Sequence, residues 1–166
     1  MNKMLTSLSA IMMIAPTAVA AQAPDQPAAT TIAPTATAQG VVRIRSLYGI
    51  DETVRRLKAD IADKGIRFFT EIDQSQLGAG ADITIRPSRL ILFGNPPLGV
   101  QFLSSNPYSG LDWPVRMLIL EEADGSVSVA WTEFGYIANR FDIKDRDAQF
   151  AMANAVAMSI ASSVTR

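Results

Sequence analysis

From Val41 onward apolar and polar side chains alternate with a period that changes several times, and each change marks a new element. Val42 and Ile44 alternate with Arg43 and Arg45, which predicts a first strand reaching toward Leu47 with its arginines in water. Asp51 has the chemistry of a helix N-cap and Glu52 suits a first turn. Ile50, Val54, Leu57 and Ile61 then recur at helical spacing until Lys64-Gly65. Strand alternation returns at Ile66, Phe68, Thr70 and Ile72. The glycines of residues 74–81 predict a flexible loop, after which Ile83 and Ile85 alternate with Asp82 and Thr84 up to Arg86-Pro87.

The next stretch organises the chain. Leu90-Ile91-Leu92-Phe93 is unbroken and apolar, as in a strand buried on both faces, with Pro87 at or before its start. It stops at Gly94-Asn95-Pro96-Pro97, where a residue held extended by the following proline, a permissive glycine and a missing donor force a sharp turn. Leu98, Phe102 and Leu103 suit one or two helical turns. Trp113-Pro114 opens a strand through Met117, Leu118, Ile119 and Leu120, again apolar on both faces. Asp124-Gly125 is a hairpin turn, and Val127, Val129 and Trp131 alternate with Ser128, Ala130 and Thr132 on the return. Residues 134–141 read as a turn or single helical turn. Residues 145–164 carry the longest helical stripe, Phe150, Ala153, Val156, Ala157 and Ile160, whose alanines permit close packing on a sheet. This order predicts an α+β fold: an antiparallel sheet of four to five strands with two main helices on one face.

The N-terminus has a different character. Lys3, the apolar residues 4–14 and Ala18-Val19-Ala20 form a signal-peptide pattern over residues 1–20. Residues 21–40, rich in Ala, Pro and Thr, predict a disordered tether, and 41–166 a single domain. The expected product is exported and periplasmic, with no membrane span after cleavage. The formal net charge of −1 falls by one more unit with Lys3, which gives no footprint for nucleic acid. Cysteine and histidine are both absent. That excludes disulfides, thiol nucleophiles, Ser-His-Asp catalysis and imidazole or thiolate metal and haem sites. No catalytic residue, metal ligand or cofactor is assigned.

The candidate ligand-binding or interface residues are Arg86, Phe93, Gly94, Asn95, Pro96, Arg116, Glu133, Tyr136 and Arg140. Asn95 could present its amide to a ligand, or bond neighbouring backbone and fix the turn. Arg86, Arg89 and Arg116 could bind a carboxylate or phosphate, or pair with Asp82, Asp112 or Glu121. Glu133, Tyr136 and Arg140 are the local group with acid, base and hydroxyl functions together. Met152 and Met158 suit packing. The leading reading is a non-catalytic module that binds a small ligand or forms a homodimer, with its pocket or interface at the Asn95 turn. The alternatives are an enzyme using Glu133, Tyr136 and Arg140, and a purely structural envelope component.

Thr53-Val54-Arg55-Arg56-Leu57, Arg86-Pro87, Leu92-Phe93-Gly94-Asn95-Pro96, Leu111-Asp112-Trp113-Pro114-Val115-Arg116 and the hairpin over residues 121–129 occur in a familiar order. The chain resembles the bacterial domain-of-unknown-function family numbered 302 over nearly all of residues 41–141. The resemblance implies a β-α-β-β-β-β-α arrangement similar to TATA-binding-protein-like domains, without implying DNA binding. Members often carry a tyrosine-x-x-x-arginine-histidine pattern. Tyr136 and Arg140 match it, Glu133 can stand for a common acidic residue, and Phe141 occupies the histidine place. The family supplies no activity to carry over.

Overall fold

The computed structural model describes residues 34 and 36–166. The expected leader, and the expected tether as far as residue 33, lie outside the described residues. Just before the first strand the chain makes a turn, with the Gly40 N–H donating to the Thr37 carbonyl at 2.9 Å.

Five strands form one antiparallel sheet: β1 (Val41–Arg45), β2 (Arg67–Asp73), β3 (Ser88–Gly94), β4 (Val115–Glu121) and β5 (Val127–Thr132), in the order β1-β5-β4-β3-β2. The main helices are α1 (Ile50–Asp63), after β1, and α5 (Asp147–Ser162), at the C-terminal end. Three shorter ones, α2 (Gln74–Ala79), α3 (Pro96–Ser105) and α4 (Phe134–Arg140), fill the connections, and a 3-10 turn spans Pro107–Asp112. Strands and main helices thus keep the expected β-α-β-β-β-β-α order.

The core lies between one face of the sheet and α1 and α5. Val42, Ile91, Phe93, Met117, Ile119, Val129 and Trp131 meet Leu57, Ile61, Phe150, Ala157 and Ile160 there. Full burial of each such Leu or Ile contributes about 1.5–3 kcal/mol. Among the described residues no helix lies over the opposite face. Leu90 and Leu92 are therefore half-buried where burial on both faces was expected, and Leu118 and Leu120 likewise. An antiparallel sheet can leave one face uncovered, so an unbroken apolar run does not by itself mean two covered faces.

Other boundaries move for local reasons. Gly49 is the N-cap of α1, so Asp51 lies in the first turn. Leu47 lies beyond β1 and is exposed. The expected flexible loop over residues 74–81 contains α2, because Asp73 accepts the Gln76 N–H at 3.0 Å and caps it. Ile83 and Ile85 belong to no strand and are exposed. Between Phe68 and Thr70 the β2–β3 register slips.

The turn after β3 wraps an indole. A Cβ on Gly94 would stand 2.6 Å from the Trp113 ring, and one on Gly99, a turn into α3, would fall inside it. The two glycines form a slot that Trp113 fills, and Phe102 meets the ring edge-on at 6.4 Å. The slot sets two effects against each other. Helix propensity alone makes Gly99→Ala stabilising by about 1 kcal/mol, while overpacking makes it destabilising by about 1–3 kcal/mol. We expect the clash to win in chemical denaturation. Gly99→Ala in a Trp113→Leu background is expected to lose much of that penalty, and equal effects in both backgrounds would refute the slot.

Candidate functional site

Asn95 is the N-cap of α3, with Pro96 and Pro97 in the first turn where a missing N–H costs nothing. The turn is closed by backbone: the Leu98 and Gly99 N–H groups donate to the Asn95 carbonyl at 3.0 and 2.9 Å. The Asn95 side chain makes no capping bond and is exposed. Of the two roles weighed for it, the backbone performs the turn-fixing one.

Beneath this turn is a cavity of about 350 Å³ between the sheet and α5. Phe93, Leu98, Trp113, Val115 and Phe134 supply its bulky walls, and Gly94, Ala153 and Ala157 the space. The alanine stripe of α5 was expected to permit close approach; Ala153 and Ala157 are buried, and their small side chains also leave room for the hollow they line. The exposed lining residues are Lys64, Asn95 and Met152. Lys64 Nζ pairs with Asp60 at 2.5 Å, so the rim carries little net charge. The lining holds no carboxylate, hydroxyl or thiol. Such a site can bind an apolar body and offer one amide to its polar end, and the ionisable group of its lining, Lys64, is engaged with Asp60.

Residues 42–161 match the family of the domain of unknown function DUF302. The chain belongs to the DUF302 family. Among solved structures, the uncharacterized conserved DUF302 protein from Bacillus stearothermophilus superposes with a TM-score of 0.70 at 13% identity, over 75% of this chain and 98% of that one. Among curated proteins, this DUF302 chain is 30% identical over 104 residues to the fluoride-specific ion channel FluC 1 of Brucella suis biovar 1 (strain 1330), covering 63% of this chain and 41% of that protein. The same identity and length hold for FluC 1 of Brucella abortus biovar 1 (strain 9-941), over 38% of that protein. The chain spans about two fifths of the length of these curated relatives. No helix among the described residues is long and apolar enough to cross a membrane.

The remaining candidates of the DUF302 domain lie apart from the cavity lining. Arg86 donates from Nε to the Glu121 carbonyl oxygen at 3.0 Å. Arg116 and Arg140 converge on Asp112, whose side chain is 4% exposed: Arg140 binds one oxygen at 2.9 Å and Arg116 the other. Both arginines are half-exposed and neutralise a buried carboxylate. Arg89 is engaged with Asp73 at 2.5 Å and with Glu71 at 3.5 Å.

Glu133, Tyr136 and Arg140 do not assemble into a working trio. Glu133 caps α4, accepting the Tyr136 N–H at 2.6 Å and the Asn154 amide at 2.5 Å. Arg140 turns away to Asp112, and the Tyr136 ring lies over Gly40, where a Cβ would collide with it. Phe141, at the histidine place, packs against the core under the Arg140 guanidinium, 5.1 Å from its ring centre. Among the described residues no three acidic side chains converge as a metal site. The α5 contribution to the cavity was missed in the sequence, although small residues at 153 and 157 beside Phe150 were its signal.

Two outcomes follow from this geometry. Ala153→Leu is expected to fill part of the cavity without loss of thermal stability, since the added methyl groups enter existing space; a large drop in melting temperature would mean that the hollow is closed in solution. For Glu133, burial works to raise the pKa, but the Gly135 N–H, the Asn154 amide and the Tyr136 N–H outweigh it and the net shift is downward. Its stabilisation is therefore present above the ordinary value of 4.5 and is lost as pH falls through the lower folded value. Melting curves from about pH 6 to about pH 3 should fall less steeply for Glu133→Gln than for the native chain.

Proposed function

We propose that this DUF302 domain is an exported, non-catalytic module that binds a small, mostly apolar ligand in the cavity under the Asn95 turn. The observation behind the reading is the cavity itself. Its volume of about 350 Å³ lies at the lower end of the range of about 300–1,000 Å³ for ligand pockets. Its walls are apolar, and the Asn95 amide stands at the rim without a hydrogen-bond partner among the described residues. Phe93, Gly94 and Asn95 serve the reading directly, and Pro96 holds the turn in place. Arg86, Arg116, Glu133, Tyr136 and Arg140 act in it as supports of the scaffold. The proposal takes no ion conduction from the channels of Brucella, of which the chain spans about two fifths.

A second reading, self-association, is favoured by a different surface. Ile72, Leu90, Leu118 and Ala130 lie in one row across the sheet, flanked by Leu92 and Leu120, on the face that no helix among the described residues covers. A homodimer in this reading packs sheet on sheet, about 10 Å apart.

The cavity reading is tested with the folded domain and a panel of small apolar probes, indole, naphthalene and cyclohexanol, followed by amide chemical shifts. We expect shifts at Gly94, Asn95, Ala153 and Ala157, and their loss in Ala153→Trp. Silence of these four residues toward the whole panel, or shifts confined to the uncovered sheet face, would refute the cavity reading.

A further inference from the structure

The cavity does not end at Met152. A second hollow, of about 260 Å³, lies between α3 and α5 and is lined by Pro97, Gln101, Ala148 and Gln149. Both hollows are also lined by Asn95, Leu98 and Met152. Of these three shared residues Met152 is 57% exposed, so little packing holds its thioether chain in place. An unbranched side chain with three rotatable bonds is the easiest kind to displace.

The two hollows differ in chemistry. The first is apolar. The second adds the neutral amides of Gln101 and Gln149, which bond to each other at 3.1 Å, while Gln101 Nε2 donates to the Pro97 carbonyl at 3.1 Å. Neither glutamine is fully exposed. No charged side chain lines this second hollow.

Resting on the cavity reading above, we propose that the two hollows are halves of one groove whose ligand is a linear amphiphile. Its apolar chain lies against Trp113 and Ala153, it passes under a displaced Met152, and its uncharged hydrogen-bonding head meets Asn95, Gln101 and Gln149. A carboxylate or phosphate head is disfavoured, because it would be desolvated there without a cation to face it.

The test uses the folded domain and the straight-chain alcohols from butanol to decanol, with the matching carboxylates as charged controls. Affinity is expected to rise about fourfold for each methylene buried, and to keep rising past the length at which the first hollow is full. The longer alcohols should shift the side-chain amide resonances of Gln101 and Gln149, and should bind better than carboxylates of equal length. Met152→Ala is expected to tighten the long alcohols several-fold relative to the short ones, and Met152→Trp to weaken the long ones more than the short ones. A plateau at short chain length, with both glutamines silent and both Met152 variants without effect, overturns the continuous groove while leaving the first cavity intact. Equal or tighter binding of the carboxylates overturns the uncharged head. Absence of binding by every alcohol overturns the groove, and the cavity reading falls with it where indole, naphthalene and cyclohexanol are silent too.

Discussion

The contact on which the rest depends is that of the Trp113 indole with two glycines. A strand that ends in Gly94 and a helix that places Gly99 one turn later leave a space as thick as an aromatic ring, and Trp113 enters it from the segment leading into β4. The fit fixes α3 against the ends of β3 and β4 without needing the Asn95 side chain. On its other side α3 meets α5 directly, with the Phe102 and Phe150 rings stacked 4.3 Å apart.

Polar groups near this contact divide into those already spent and those not. Asp112, next in sequence to the indole, is buried and takes both Arg116 and Arg140. A buried carboxylate answered by two guanidinium groups is an expensive arrangement to disrupt, since removing either partner strands charge in a poorly solvated place. Glu133 is similarly committed, to the first turn of α4 and to Asn154. The residues richest in chemical potential on paper thus hold the scaffold, and the least reactive of them, Asn95, stands over the opening.

How legible this was in the sequence depended on how local each signal was. The Asp124-Gly125 hairpin, the α1 stripe and the abrupt stop at Gly94 were readable because turn chemistry and periodicity act over a few residues. The α+β class followed from element order. The uncovered sheet face was not readable, because Leu90 and Leu92 look alike whether a helix or water lies beyond them. Nor was α2, where the glycines of residues 74–81 obscured the cap at Asp73. The candidate site was half legible: Phe93, Gly94 and Asn95 came from the turn, but Lys64, Met152, Ala153 and Ala157 reach the same hollow from distant parts of the chain. Pairings such as Arg140 with Asp112, 28 positions apart, need the fold before they can be seen.

The slipped register of β2 has a wider consequence. A sheet that does not close into a barrel keeps two outer strands, each a template on which foreign chains can add. Here one of them is kinked by an extra residue at Phe69 and the other is five residues long with two arginines along it. Neither offers a straight ladder of free backbone groups. Edge-to-edge addition of one copy to another is thereby disfavoured at both outer strands.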